Sequence, residues 1–412
     1  MRILWVKADK LLPVHSGGSI RTYHVLRYLA SHHELTFYSY YGGEPDDEYE
    51  RDLQQQLPGS VALCTGKREL SGVARGADYL AHLTAQPPYA VSRFACSKVQ
   101  DQVRTWFQEE RFDVAVCDFL DAAVNFPNDL SIPSVLFQHN VESEIWRRHA
   151  ATATNPVKKA IYGVEFQKML GYEQIEVRRF HHVVAVSEND RKLMTQWVDP
   201  GHVTVIPTGV DLAQYRPDAS APEPAPLITF VGAMDWEPNV DGVEYFCREI
   251  WPNILAEVPE ARFRIVGRNP DHRVQKWASE WVEVTGRVPS VVEHLQQSAV
   301  VVVPLRIGGG TRLKIYEAMA TAKAVVSTTV GAEGLDVRHG CDLMLADDSK
   351  SFAHAVIMLL RDRELRHRYE KAAAETAARY DWPAIGERFS RILKSVIKQE
   401  SSTASAVPVR TP

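Results

Sequence analysis

Short β-branched runs alternate along this chain with longer stretches of helical period, and that alternation restricts the fold more than any other feature. Ile3–Val6, Leu35–Tyr38, Val114–Val116, Val135–Phe137, Val183–Val186 and Val203–Ile206 read as strands in the first half. Leu227–Val231, Phe263–Val266, Val300–Val303 and Ala324–Ser327 do so in the second. Near-continuous apolar strands separated by helices predict parallel sheets covered on both faces, an α/β architecture. Between the two sets lies Arg216–Pro226, RPDASAPEPAP, rich in Pro and Ala and without periodicity. It reads as a semi-rigid linker between two Rossmann-like halves, because a single sheet of all these strands would be unusually wide.

The expected division is residues 1–208, a linker at 209–226, a second domain at 227–381, a helix at 382–400 and a disordered tail at 401–412. From Val240 onward a helix is expected, with Val240, Val243, Cys247, Ile250 and Ile254 on one face, Asn239 as N-cap and Pro238 before it. The last helix should present Ile385, Phe389, Ile392 and Val396, while SSTASAVPVRTP after it has too little apolar surface to fold.

Charge and cysteine content exclude several functions. Lys+Arg number 47 against 52 Asp+Glu, a net charge of −5, which argues against a protein built to grip nucleic acid. The five cysteines, Cys64, Cys96, Cys117, Cys247 and Cys341, form no Cys-x-x-Cys pair, so neither a zinc cage nor a disulfide framework is expected and a reducing cytoplasm fits. No stretch approaches a membrane span, and the apolar run before Lys7 is too short for a signal-peptide core. The expectation is a cytoplasmic protein.

Chemistry concentrates at Val300–Ala320, VVVVPLRIGGGTRLKIYEAMA. A buried strand runs into three glycines, then Thr311 as a candidate N-cap, then a helix carrying Arg312, Lys314 and Glu317. Glycines such as Gly309 and Gly310 let a ligand approach the backbone, and the free N–H groups of a helix's first turn attract an anion. Arg312 and Lys314 in that turn oppose the helix dipole unless something negative lies nearby. A phosphate or diphosphate resolves the conflict; the bland alternative is a surface ion pair beneath a flexible turn. No Gly-Lys-Ser/Thr closes the loop, so it is not a Walker A motif.

Three further segments follow strands. In LITFVGAMDWEPN, Leu227–Asn239, Gly232 could admit a ligand and Trp236 could stack on a base or sugar, or simply fill the loop. In HSGGS, His15–Ser19, the Gly17–Gly18 pair is no dinucleotide fingerprint, because the third glycine's position is Arg21. QHNVE, Gln138–Glu142, follows a strand whose carboxyl end should open on a crevice, where His139 could orient a hydroxyl or phosphate; a lone histidine is more often structural. The pairs Asp118/Asp121 and Asp347/Asp348 read as loop and cap residues, with no further hard ligands around them to make a metal site.

With these residues in hand the chain resembles the retaining glycosyltransferases of family 4, which have the two-domain GT-B fold. The resemblance runs through the first strand and its Gly17–Gly18 loop, VAVSENDRKLM at Val184–Met194, VIPTGVDLAQYRP at Val205–Pro217, FVGAMDWEPNVDGVEYF, GGGTRLKIYEAMA and YDWPAIGERF. It implies two Rossmann-like domains facing across a cleft, with the last helix crossing back to the first domain. It also implies a nucleotide-diphospho-sugar bound by the second domain and a glycan or lipid-linked acceptor bound by the first. The GAMDWEPN and GGGTRLK variants look like enzymes of bacterial exopolysaccharide or cell-surface glycan assembly.

By the same resemblance Glu317 bonds the ribose hydroxyls, Gly17 and Gly18 approach the diphosphate and donor sugar, and His139 contacts that sugar. Arg268, Arg287 and Val288 fall in segments after second-domain strands and would line the donor pocket. The family's chemistry is front-face displacement without a metal, and no cofactor is implied.

Two departures stand out. The first glutamate of the family's pair is Gly309 here, and the usual Arg and Lys after the first strand of the second domain are missing, with Met234 and Asn239 nearby. Arg312 and Lys314 are therefore expected to grip the diphosphate in their place, the Arg bidentately and the Lys as a point charge. These departures keep two alternatives open, a non-catalytic nucleotide-sugar-binding partner of another transferase and a sugar-nucleotide 2-epimerase.

Lys158, Lys159, Lys168, Arg178 and Arg179 share a long helical stretch that could meet anionic lipid at the inner face of a membrane. Glu165, Glu173 and Glu176 intersperse with them, so the preferred reading is an ordinary solvated face.

Overall fold

The computed structural model describes every residue except 15, 68–70, 84, 154, 219–224, 308–311 and 407–412; at 73, 75 and 403–406 it describes the backbone alone. The chain divides into two compact units, one of Met1–Pro207 with Ile385–Pro412 and one of Thr208–Ala384.

The first unit carries seven strands: β1 (Arg2–Ala8), β2 (Glu34–Tyr41), β3 (Val61–Cys64), β4 (Val114–Asp118), β5 (Ser134–Phe137), β6 (His182–Ala185) and β7 (Val203–Val205). They form one parallel sheet in the order β3-β2-β1-β4-β5-β6-β7. The second unit carries β8 (Leu227–Val231), β9 (Arg262–Val266), β10 (Val282–Gly286), β11 (Val300–Val303), β12 (Ala324–Ser327) and β13 (Met344–Leu345). Its order is β10-β9-β8-β11-β12-β13, again all parallel. These are two Rossmann-like sheets, as the alternating pattern predicts. The central strands are buried along their length, Val114–Asp118 and Val300–Val303 completely so, which is why they read as unbroken apolar runs.

Chain order reverses between β1 and β4 in one sheet and between β8 and β11 in the other. At such switch points connections leave in opposite directions and open a crevice at the strands' carboxyl ends. Lys7 and Asp118 are paired in register at the carboxyl end of the first switch.

Three strands, β3, β10 and β13, escape the sequence pattern, since VALC is half-exposed, VEVTG alternates with polar residues and ML is only two residues long. The helix expected from Val240 starts earlier: it spans Glu237–Tyr245 with Trp236, not Asn239, at the N-cap. Its apolar face is as expected, with Val240, Val243, Cys247, Ile250 and Ile254 all buried, although a π-turn at Phe246–Ile250 separates it from the helix Trp251–Glu257. The Gly17–Gly18 segment is not a loop either. Both glycines lie in the first turn of the helix Gly17–His32, whose N-cap Ser16 and Ser19 form a capping box.

The last helix spans Trp382–Ala406, so residues 401–406 continue it instead of forming a tail. Ser401 and Ser402 donate their hydroxyls to the carbonyls of Ile397 and Lys398, one turn back, at 2.9 Å each. Residues 407–412 lie outside the described residues. Ile385, Phe389, Leu393 and Val396 form its buried face, with Leu393 in the place expected of Ile392. Phe389 packs between Trp5 at 5.3 Å and Phe137 at 5.0 Å, so this helix completes the first unit's core.

The expected solvated face of the basic helix, Pro156–Arg179, is differently made. Glu165, Glu173 and Glu176 all point inward. Glu173 caps the helix Glu142–Thr152 by accepting from the backbone N–H groups of Glu142 (2.8 Å) and Ser143 (3.1 Å). Lys168 and Arg179 turn to carbonyls, that of His82 for Lys168 and those of Ala123, Phe126 and Pro127 for Arg179. Among the described residues, no helix is long and apolar enough to cross a membrane.

Candidate functional site

Each unit gathers functional side chains at the carboxyl end of its sheet. In the first, β4 ends at Asp118 and β5 delivers Gln138 and His139 beside it. The His139 Nε2–H donates to Asp118 Oδ1 at 2.7 Å, and its Nδ1 accepts from Arg21 Nη1 at 3.1 Å. The Asp118 Oδ2 accepts from Thr22 Oγ1 at 2.9 Å and faces Lys7 Nζ at 3.8 Å. Burial alone would raise the Asp118 pKa, but Lys7, His139 and Thr22 hold it below the ordinary carboxylate value. Burial pulls His139 down to about 4 against the opposing pull of Asp118, so its imidazole is neutral. Burial also lowers Arg21 to about 10, opposed by Asp190 and Asp118.

His139 therefore spends both ring nitrogens on the protein, and what it can offer a ligand is its backbone and the fixed position of its ring. That position is set by Phe119, stacked on it at 3.8 Å and 8°. Phe119 has φ +67°, a strained conformation for a bulky residue at the end of β4. A Cβ on Gly18 would come within 2.5 Å of Phe119 Cζ, so Gly18 is a glycine because the ring fills its side-chain space. Gly17, beside it, is partly exposed in the helix's first turn.

Asp118 was expected to be a loop or cap residue; it is a fully buried strand residue at the centre of this network. Sequence reasoning passed over it and Arg21, though an acid ending one strand beside a histidine following the next was the available signal. Asp121 and Glu142 join the same end of the unit: burial raises Asp121 to about 6 and Glu142 to about 8, the latter further raised by Asp121 and Glu173. Asp348, by contrast, is the N-cap expected, accepting from the N–H groups of Lys350 and Ser351. Among the described residues no cluster of three or more His, Cys, Asp or Glu is arranged to hold a metal ion.

In the second unit, Gly232, Gly267 and Gly286 meet where β8, β9 and β10 end. A Cβ on Gly267 would come within 1.6 Å of the Gly232 carbonyl oxygen, and Gly267 N donates to Gly286 O at 3.2 Å. A Cβ on Gly232 would meet Asn239 Nδ2 at 2.6 Å and Lys314 Nζ at 2.9 Å. The side-chain space that Gly232 leaves is thus taken by Asn239 and Lys314. Lys314 stands on the helix Leu313–Ala320, donates to Asn239 Oδ1 at 2.8 Å and lies 4.5 Å above the Phe230 ring.

Arg312 is the N-cap of that helix, the position expected of Thr311, and makes no side-chain cap bond there. Gly309, Gly310 and Thr311 lie outside the described residues. Arg312 is buried, with its guanidinium 5.8 Å from the ring of Trp236, itself 42% exposed. Burial and Arg312 lower Lys314 to about 7, with Glu317 opposing. Burial raises Glu317, opposed by a hydrogen bond from Tyr215 and by Lys314. Arg268 and Arg287 are exposed after β9 and β10, with Val288 partly so. The structure thus brings Arg312, Lys314, Glu317, Gly232 and Trp236 together in one unit, and holds Gly17, Gly18 and His139 in the other.

Comparison with known proteins agrees with both halves. Residues 15–214 match the family model for Glycosyltransferase Family 4, and residues 225–362 the model for Glycosyl transferases group 1. Phosphatidyl-myo-inositol mannosyltransferase of Mycolicibacterium smegmatis is 26% identical over 306 residues, 72% of this chain and 74% of the relative. D-inositol 3-phosphate glycosyltransferase of a Nocardioides species is 27% identical over 249 residues, 52% of this chain and 53% of the relative. Among solved structures, sucrose-phosphate synthase of Thermosynechococcus elongatus superposes with a TM-score of 0.70 at 15% identity, over 97% of this chain and 100% of the other. HepE of Anabaena in complex with UDP gives 0.67 at 14% identity, over 96% and 100%. The chain belongs to the family 4 glycosyltransferases and has their two-domain GT-B fold.

Proposed function

We propose that the protein moves a sugar from a nucleotide-diphospho-sugar to a hydroxyl of a glycan or lipid-linked acceptor, with retention at the anomeric carbon and without a metal. The donor binds the second unit and the acceptor the first. The observation that carries this is the trio Arg312, Lys314 and Glu317 at the carboxyl end of the second sheet. Arg312 and Lys314 stand at the start of one helix, close enough for Arg312 to lower the Lys314 pKa, and an anion bound between them relieves that repulsion. In this reading Arg312 and Lys314 hold the diphosphate while Glu317 accepts from two ribose hydroxyls.

The acceptor oxygen attacks the anomeric carbon on the face that the diphosphate leaves. The bond from that carbon to the phosphate oxygen breaks, and a departing phosphate oxygen takes the acceptor's proton. Negative charge grows on the diphosphate as this happens, and the two cations are already in place to stabilise it. His139 holds the wall of the first unit's crevice and performs no proton transfer, since both its ring nitrogens are occupied.

The mannosyltransferase relative, named for phosphatidyl-myo-inositol, supports a lipid-linked acceptor, and such an acceptor would set the protein to work at the inner face of a membrane. Assembly of exopolysaccharide or another cell-surface glycan is the setting that suits such a donor and acceptor. Arg312→Ala and Lys314→Ala, made separately, should each cut turnover at least about tenfold, the scale of losing a charge-assisted hydrogen bond to the leaving group. Wild-type turnover in both variants contradicts the assignment, and abolition of activity by EDTA contradicts the metal-free route.

A further inference from the structure

Trp236 is 42% exposed, and no other Trp, Phe or Tyr among the described residues is exposed. A single apolar side chain at a surface is ordinary, but the backbone that presents this one is braced from several sides. Met234 N donates to Arg268 O at 2.9 Å and Asp271 N to Met234 O at 3.1 Å, tying the segment after β8 to the segment after β9. Asp235 Oδ2 accepts from Asn269 Nδ2 at 2.9 Å. The Trp236 carbonyl accepts from the N–H groups of Asn239 at 2.9 Å and Val240 at 3.2 Å, which closes the first turn of the helix Glu237–Tyr245. Asn239 joins that turn to Lys314: its Nδ2 donates to Ala233 O at 2.8 Å and its Oδ1 accepts from Lys314 Nζ at 2.8 Å. The indole ring itself lies 5.8 Å from the Arg312 guanidinium. Trp236 is thus fixed beside both cations, by its ring to one and through Asn239 to the other.

A nucleotide-diphospho-sugar has four parts in a row: base, ribose, diphosphate and sugar. Arg312, Lys314 and Glu317 meet it in order along one helix, with Glu317 roughly 7 Å beyond Arg312 at the helical rise. With ribose at Glu317 and diphosphate at Arg312 and Lys314, the base leaves past Glu317 and the sugar leaves past Arg312. Trp236 stands at the Arg312 end. A pyranose ring has an apolar face of C–H groups, and an indole gives it a flat apolar surface of matching size.

We infer that Trp236 is the platform for the donor sugar: its indole packs against the C–H face of the transferred pyranose and sets the affinity that the sugar adds to the nucleoside diphosphate. This rests on the roles given above to Arg312, Lys314 and Glu317. It assigns the indole to the sugar and not to the base, which makes the difference between a nucleotide and its sugar conjugate the informative quantity.

The test is calorimetric titration of wild type, Trp236→Ala and Trp236→Phe without acceptor. The ligands are UDP, GDP and ADP, and UDP-glucose, UDP-N-acetylglucosamine, GDP-mannose and ADP-glucose. For the base that wild type accepts, Trp236→Ala should weaken the sugar conjugate roughly three- to thirtyfold and leave the plain diphosphate unchanged. Trp236→Phe keeps an aromatic ring of smaller area and should fall between. In wild type the conjugate should bind with a more negative heat-capacity change than the diphosphate, a difference lost in Trp236→Ala.

An equal loss of diphosphate and conjugate in Trp236→Ala overturns the inference, because it puts the indole on the base or the phosphates or makes its role one of folding. A conjugate affinity like wild type's in Trp236→Ala overturns it as well. If wild type binds neither diphosphates nor conjugates, or if Arg312→Ala and Lys314→Ala both bind them like wild type, the donor reading fails and takes the inference with it.

Discussion

Lys314 Nζ donates to Asn239 Oδ1 at 2.8 Å, bringing a cation from the helix after β11 to the segment after β8. That segment, GAMDWEPN, contains no Lys or Arg of its own. The glycine at 232 leaves the volume the ammonium occupies, Asn239 accepts from it, and the Phe230 ring lies beneath it. Sequence position and spatial position have separated: the charge is encoded about 80 residues from the backbone it serves.

With the donor bound as proposed, this placement should make nucleotide affinity depend on pH near neutrality. Lys314 titrates at about 7 in the empty protein, lowered by burial and by Arg312. A bound diphosphate favours the ammonium, so binding takes up a proton above that pH and affinity falls as pH rises through 7 to 9. The same depressed pKa makes the empty protein gain stability as pH rises from about 7 toward 10.5, because over that window only the unfolded chain binds the proton. Calorimetry in buffers of different ionisation enthalpy should detect proton uptake on nucleoside diphosphate binding at pH 8. Lys314→Arg, whose charge does not titrate there, should abolish the uptake; uptake unchanged in that variant contradicts the assignment.

Gly18 and Phe119 should be energetically coupled. The added methyl of Gly18→Ala meets the Phe119 ring at 2.5 Å and must push it off His139. The single variant should lose about 1–3 kcal/mol of stability, the usual cost of overpacking. In a background of Phe119→Ala the same substitution should cost much less, giving a coupling energy of about 1 kcal/mol or more in a double-mutant cycle. Additive losses would show that the ring is free to move aside and that the strained φ at Phe119 serves nothing near Gly18.

The sheets were legible because buried parallel strands leave runs such as VVVV that few other structures produce. Strands with a half-exposed or polar composition, VALC and VEVTG, leave no such run and were invisible. Helix starts moved by three residues where Trp236 caps and by one where Arg312 does, both without a side-chain bond, since only capping by Ser, Thr, Asn or Asp leaves a mark in sequence. At the site, the cations of the first turn announced themselves by violating a local rule. Asp118 did not: a carboxylate at a strand end reads as a loop residue until Lys7, Thr22 and His139 are seen converging on it from three other segments. The glycines are ambiguous in sequence for a related reason. Sequence says that a side chain is missing, but not whether a ligand, a ring or an ammonium fills the space.

The central claim is that the second unit binds a nucleoside diphosphate through Arg312, Lys314 and Glu317. It is tested most directly by a thermal-shift screen of wild type and Glu317→Ala with UDP, GDP, ADP, dTDP and their sugar conjugates, without added metal. A ligand at 100 times its dissociation constant contributes about 2.7 kcal/mol, enough to move the melting temperature by a readable amount. The account predicts stabilisation by one nucleotide family in wild type and its loss in Glu317→Ala. No stabilisation by any nucleotide at saturating concentration, or an equal shift in both proteins, contradicts it.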